Sequence, residues 1–309
     1  MSRSTPLSPD QTRPPGSGRV VVVGDVLDDI IVIPEKAPTP GTDTGATIQH
    51  RAGGAAANTA AWLGSLGVEV DFVGRVGSSD VQRHSQLLVN AGVTPRLGYG
   101  PNDHTGTVVI QVDGAARTML TDRGASAALD LGTVTDDLVV GAAIVHLTGY
   151  SIVHSRSPVA YRRLVSRVRA AGALVSIDPA SSGFIAEFGP DAFLDLVEGA
   201  DLFFPNLDEG RILTGLDDPD DIVRALQPRF GVVALTRPGG SAVVARAGGK
   251  LVHAASSATR FLDPIGAGDA FAAGFLCGWM SSPSVALAAR KGTKLAALAY
   301  TIVGGRPSR

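Results

Sequence analysis

The chain reads as an α/β protein: a doubly wound, mostly parallel sheet flanked by helices, with a small β-rich lid. Three observations point there. The run Arg19-Val20-Val21-Val22-Val23-Gly24 is apolar at consecutive positions, the pattern of a strand covered on both faces. From Leu129 onward, short apolar segments alternate with helical patterns, as in βαβ units. The segment around 34–51 and a hairpin signal at Asp113-Gly114 break that alternation and look like a lid.

Taken in order, residues 1–18 are rich in Ser, Pro and Thr without an apolar core, which suits a flexible tail and not a signal peptide. The buried strand at 19–24 follows. A second strand at 30–33 leads into a loop holding Pro34, Pro38 and Pro40. Gly53-Gly54 opens a small-residue helix over 55–66 that stops at Gly67, and 68–76 alternates as a strand. Residues 107–112 and 116–121 flank the hairpin turn. Further strands are expected at 143–147, 174–177, 201–204 and 232–235, with helices at 159–170, 190–198 and 219–226 between them. No internal repeat is visible. The chain thus divides into a tail (1–18), a main α/β domain (19–33, 52–98 and 125–309) and a lid (34–51 and 99–124).

At 309 residues the chain can bury one large core. Apolar residues make up 44% and charged residues 18%, a globular balance. A formal net charge of −2 argues against a nucleic-acid or anionic-membrane partner. The single cysteine, Cys277, allows no disulfide within the chain, and the six histidines lack metal-ligand spacing. A cytoplasmic location follows as the expectation. No apolar run is long enough for a membrane span.

The most informative string is Asp263-Pro264-Ile265-Gly266-Ala267-Gly268-Asp269-Ala270-Phe271, which runs straight into a buried apolar helix. Two glycines around one alanine permit a tight turn that presents bare N–H groups at a helix N-terminus, where the macrodipole also favours negative charge. Asp269 stands at the mouth of that anion site. A carboxylate there needs a reason, and phosphoryl transfer supplies one. The amides of Gly266, Ala267 and Gly268 would hold the moving phosphoryl charge while Asp269 orients and deprotonates the attacking hydroxyl. The helix dipole is expected to leave Asp269 a weak base. The plain alternative is an acidic residue in an ordinary first turn.

Three other constellations stand at the end of a predicted strand or at the start of a predicted helix. Gly53-Gly54-Ala55-Ala56-Ala57-Asn58 would let a ligand approach the backbone, or would simply pack a helix closely on the sheet. Gly24-Asp25-Val26-Leu27-Asp28-Asp29 could bind adjacent hydroxyls or form a solvated acidic loop in which most carboxylates are exposed. Pro205-Asn206-Leu207-Asp208-Glu209 reads as a capped helix start, with Glu209 three residues after Asn206.

The nine-residue string resembles the C-terminal signature of the ribokinase-like (PfkB) carbohydrate kinase family, whose usual form is Asp-Thr-x-Gly-Ala-Gly-Asp-x-Phe; Pro264 takes the Thr position. The resemblance covers roughly residues 19–305 and implies the ribokinase-like fold and an ATP-dependent sugar kinase. It implies that Gly53, Gly54, Asn58 and Asp29 bind the sugar. It implies that Asn206 and Glu209 place Mg2+ mostly through water and help hold the phosphates. Thr236, in Thr236-Arg237-Pro238-Gly239-Gly240, falls near the family's nucleotide-phosphate turn, with glycine shifted by one position. Arg123-Gly124-Ala125-Ser126 resembles a family string after the lid, and Arg123 could reach a substrate carboxylate or phosphate, or be a solvated hinge residue. K+ near Asp263 and Gly304 is a family habit. Ala55 and Leu27 stand where ribokinases carry lysine and asparagine, which counts against free ribose. Asp178 receives no role.

The implied partners are a sugar-like small molecule and ATP, with a homodimer formed through the exposed lid edge. A nucleoside kinase of adenosine, cytidine or pseudouridine type shares the motifs and is the alternative; a non-catalytic sugar or nucleotide sensor is a further one. A dinucleotide-binding oxidoreductase lacks its Gly-x-Gly-x-x-Gly turn after the first strand.

Overall fold

The structure, a computed structural model, describes residues 18–113, 116–154, 158–282 and 284–307. In chain order the strands are β1 (Arg19–Val23), β2 (Leu27–Pro34), β3 (Ala46–Gly53), β4 (Val70–Arg75), β5 (Val93–Gly98), β6 (Thr105–Asp113), β7 (Ala116–Gly124), β8 (Ala142–Thr148), β9 (Leu174–Asp178), β10 (Leu202–Phe203), β11 (Val232–Thr236), β12 (Ala242–Arg246) and β13 (Val252–Ala254). The helices are α1 (Ala55–Ser65), α2 (Val81–Asn90), α3 (Asp136–Val139), α4 (Gly149–His154), α5 (Pro158–Ala170), α6 (Ser182–Phe188), α7 (Pro190–Leu196), α8 (Leu207–Thr214), α9 (Pro219–Leu226), α10 (Ala267–Ser281) and α11 (Val285–Ala299).

The large sheet runs β13-β12-β11-β10-β9-β8-β1-β4-β5. It is parallel from β5 to β11, and β12 and β13 add an antiparallel edge. The consecutive valines of β1 explain its place inside the sheet. Val20 and Val22 join a core with Trp62 of α1 and Phe271, Phe275 and Trp279 of α10. Val21 and Val23 join a second core with Tyr161 and Leu164 of α5, Phe193 of α7 and Ile222 of α9. Successive side chains of a strand point to opposite faces, so only a strand apolar at every position can feed both cores. This is the doubly wound α/β arrangement, with helices on both faces.

The small sheet runs β3-β2-β6-β7. The strand expected at 30–33 lies here as part of β2 and not in the large sheet. Its burial alternates: Leu27, Asp29 and Ile31 are buried, and Asp28, Ile30 and Val32 are half-buried. Leu27 and Ile31 form a small core with Val108 and Ile110, against which Ile265 and Val303 pack. The β6–β7 hairpin pairs through Asp113↔Ala116, and Gly114 lies outside the described residues. The tail at 1–17 also lies outside them. Among the described residues, no helix is long and apolar enough to cross a membrane.

The strand order turns back at β1, whose neighbours are β4 and β8. In an open α/β sheet the crevice for a ligand forms at such a point, outside the carboxyl ends of the strands. Asp25, Thr148, Asp178, Asn206 and Thr236 all stand at or just past those ends.

Candidate active site

A pocket of about 120 Å³ opens at these ends, lined among others by Asp178, Asn206, Glu209, Thr236, Gly268 and Asp269. The glycine turn before α10 supplies one wall. Asp263 braces that turn: its carboxylate accepts from the Ile265 amide at 3.0 Å and from the Gly304 amide at 3.0 Å. Asp263 and Gly304, 41 residues apart, are thereby brought together. Gly266 caps α10 with φ 76°, and a Cβ there would lie 2.5 Å from Cα of Gly305. Only glycine meets both demands. A Cβ on Gly268 would meet no atom within 4 Å, so its backbone faces open space. The Ala267 amide differs from expectation. It donates to the Pro264 carbonyl at 3.2 Å within the turn itself and is not a bare donor.

Asp269 lies in the first turn of α10 and accepts from Asn58 Nδ2 at 2.9 Å. Burial, and after it the negative charge of Asp178, hold its carboxyl well above the usual carboxylate range. The helix dipole was expected to lower its proton affinity; desolvation and like charge outweigh it here. Asn58 faces two ways: its Oδ1 accepts from Arg306 Nε at 3.3 Å. Arg306 also donates through Nη2 to the Gly53 carbonyl at 2.8 Å.

Asn206 and Glu209 form a reciprocal capping box at the start of α8. The Glu209 amide donates to Asn206 Oδ1 at 2.9 Å, and the Asn206 amide donates to Glu209 Oε2 at 2.8 Å. The helix-start reading is thus correct, and the same carboxylate lines the pocket. Glu209 is 2% exposed, and burial together with Asp178 raises its carboxyl well above the usual value. Thr236 is bridged to Asn206 and donates its amide to the Pro205 carbonyl at 2.9 Å. Asp178 ends β9 and accepts from the Ala180 amide at 2.8 Å; burial pushes its carboxyl up to about 7. Ala180 holds φ 79°, a left-handed conformation that is uncommon for alanine and is held here beside the pocket.

The acidic loop after β1 is not solvated. Asp25 and Asp29 are each 5% exposed. Asp25 caps α1, accepting from the Ala55 amide at 2.8 Å and from Thr148 Oγ1 at 3.1 Å. Asp28 is ion-paired with Arg83 at 2.6 Å. Asp29 lies so close to Gly53 that a Cβ there would come within 2.2 Å of its carboxylate oxygens. Burial, opposed by Arg306, pushes Asp29 up to about 7. Gly54 holds φ 92°, and a Cβ on it would lie 2.5 Å from the Asp25 carbonyl. Asp29, Gly53, Gly54, Asn58 and Asp269 therefore form one neighbourhood. The Arg123 guanidinium lies 3.3 Å from the centre of the Tyr150 ring.

Two residues of this site carried no role in the sequence. Asp178 had one usable signal, an aspartate closing a buried parallel strand. Arg306 had none, since 253 positions separate it from Gly53. Among the described residues, no group of three or more His, Cys, Asp or Glu side chains is arranged to hold a metal ion by itself.

A family model described as pfkB family carbohydrate kinase matches residues 17–308. The chain is 26% identical to an uncharacterised sugar kinase of Archaeoglobus fulgidus, over 79% of this chain and 96% of that one. It is 30% identical to a 1-phosphofructokinase of Rhodobacter capsulatus, over 73% of this chain and 72% of that one. The crystal structure of adenosine kinase from Sinorhizobium meliloti superposes with a TM-score of 0.84 at 25% identity, covering 95% of this chain and 97% of that one. The fold is ribokinase-like, and the chain belongs to the pfkB family of carbohydrate kinases, phosphotransferases that act on hydroxyl groups.

Proposed function

We propose that this protein transfers the γ-phosphoryl group of ATP to a hydroxyl of a sugar or sugar derivative, with Asp269 as the base. The observation that carries the reading is the Asn58–Asp269 contact of 2.9 Å, which joins the sugar-side helix α1 to the phosphate-side helix α10. An acceptor held by Asp29, Gly53, Gly54 and Asn58 would present its hydroxyl to Asp269. The oxygen–phosphorus bond forms as the bond to ADP breaks, and the hydroxyl proton passes to Asp269. A carboxyl whose proton affinity is raised by burial suits that last step. The Gly268 amide and the N-terminus of α10 would stabilise charge on the moving phosphoryl group. Thr236 and Asn206 stand where the nucleotide phosphates would lie.

Asp178, Glu209 and Asp269 are driven toward their protonated forms by burial, and the charge of Asp178 adds to this for the other two. Such a set fits a hard cation, and Mg2+ held by Glu209 and Asn206 largely through water suits a site without a three-residue protein cage. The ion would supply charge neutralisation on the phosphates. The Asp263–Gly304 junction is the proposed place for K+. The exposed apolar residues of the lid, Ile48 at 57% and Leu120 at 66%, support pairing of two lids in a cytoplasmic homodimer.

The likeness to a nucleoside-phosphorylating structure favours one second reading, in which the acceptor hydroxyl belongs to a nucleoside. Acceptor-dependent ADP formation across neutral sugars, sugar phosphates, sugar acids and nucleosides separates the two. Turnover on sugars or their derivatives supports the first; turnover confined to nucleosides selects the second.

A further inference from the structure

We propose that Arg306 reads a negatively charged group on the acceptor, so that the molecule phosphorylated here already carries a phosphate or a carboxylate. This rests on the kinase reading above and names the substrate class of the same site.

The position of Arg306 is built, not incidental. The segment that carries it is fixed on three sides. Trp62 Nε1 donates to the Gly305 carbonyl at 2.9 Å, the Gly304 amide donates to Asp263 at 3.0 Å, and Gly266 abuts Gly305. The side chain then touches two residues of the acceptor neighbourhood, through the Gly53 carbonyl and Asn58 Oδ1. One amide, that of Asn58, separates the guanidinium from Asp269. That spacing suits a small sugar with its reacting hydroxyl at one end and its charge at the other.

The guanidinium is incompletely matched where it stands. Its hydrogen bonds among the described residues go to neutral oxygens, and Nη1 is buried without any partner. Burial presses its proton affinity down to about 10, which still leaves it charged at neutral pH. The nearby carboxylates that act on it are otherwise engaged or weakened. Asp28 belongs to Arg83, and Asp25 caps α1. Asp29, the carboxyl that acts most on Arg306, is itself pushed up to about 7 by burial. A half-buried cation with a buried, unspent N–H suits an anion that also accepts a hydrogen bond; a phosphate or carboxylate does both.

Arg306 also lines, with Arg51, a cavity of about 960 Å³; no aspartate or glutamate is among its described lining residues, and Gly53, Asn58 and Asp269 do not line it. Among the described residues the Arg51 guanidinium likewise donates to neutral oxygens, the His50 carbonyl and Gln49 Oε1, at 3.0 and 2.8 Å.

The test compares fructose, ribose and glucose with their own phosphate monoesters and with ribonic and gluconic acids, using MgATP and the full chain. Arg306→Gln and Arg306→Lys are run beside the wild type. The proposal expects kcat/KM for at least one charged acceptor to exceed that of its neutral parent by about tenfold or more. It expects Arg306→Gln to lose that preference chiefly through KM, and Arg306→Lys to keep part of it. A wild type that prefers the neutral parents overturns the proposal and leaves the kinase reading standing. A preference for charged acceptors that survives in Arg306→Gln also overturns it. Failure to phosphorylate any acceptor of either class removes the sugar-acceptor reading, and this inference with it. If Arg306→Gln does not fold, the wild-type panel and Arg306→Lys decide the matter.

Discussion

Asn58 Nδ2 donates to Asp269 Oδ2 at 2.9 Å across 211 positions of sequence. The amide cannot turn over without placing Nδ2 against a donor-only guanidinium, because Arg306 Nε occupies its other end. The orientation of the proposed base is thus set from outside its own helix.

Asn58→Ala removes that constraint. The expected result is a kcat lowered by about tenfold to a hundredfold, from loss of positioning. The hydrogen bond from Asn58 lowers the proton affinity of Asp269, so its loss raises it further. The acidic limb of the pH–rate profile should therefore move to higher pH. A profile that stays in place while kcat falls would mean that Asn58 only packs.

Glu209→Gln keeps an oxygen for the Asn206 amide and so preserves the start of α8. It removes the charge. The apparent Mg2+ affinity, read from activity against metal concentration, should weaken by about tenfold to a hundredfold with little change in thermal stability. Unchanged metal dependence would show that Glu209 serves the helix cap alone.

Gly266→Ala places a Cβ 2.5 Å from Gly305 on a backbone at φ 76°. Denaturant unfolding should show a loss of about 1–3 kcal/mol or more. A neutral substitution would mean that the turn and the Gly305 segment can separate at little cost.

Asp29 couples stability to pH. Its carboxyl moves from 3.8 to about 7 on folding, so between those values the folded chain holds a proton that the unfolded chain has lost. The sign follows: this contribution is fully present below pH 4 and is lost as pH rises through 7. Its full span is about 4 kcal/mol. Asp29→Asn should flatten the decline of the unfolding midpoint across that window. Parallel curves for the two proteins would remove Asp29 as a source of the dependence.

What was legible in the sequence was local. The string from Asp263 to Phe271 announces a turn, a helix start and a carboxylate within nine residues, and no distant partner is needed to read it. β1 and β8 to β11 were equally plain, because double-sided burial writes continuous apolar runs; β5, β12 and β13, at or beside the edges of the large sheet, were not read. β2 was harder: its buried face includes Asp29, so hydrophobic alternation is broken by the residue that matters most. The acidic loop misled for a related reason. Asp25 and Asp28 find partners in the α1 amides and Arg83, which pattern alone does not reveal. The proton affinity of Asp269 ran opposite to the helix-dipole expectation because Asp178 and burial arrive through topology. Arg306 joins the site only when the C-terminal segment docks against α1.

The most direct test of the central claim is transfer of label from γ-labelled ATP to an isolated acceptor, with Asp269→Asn in parallel. The account predicts label in the acceptor with the wild type. It predicts a loss of about a hundredfold or more in Asp269→Asn, from an active-site change that leaves ATP binding in place. Equal transfer by both proteins would contradict it.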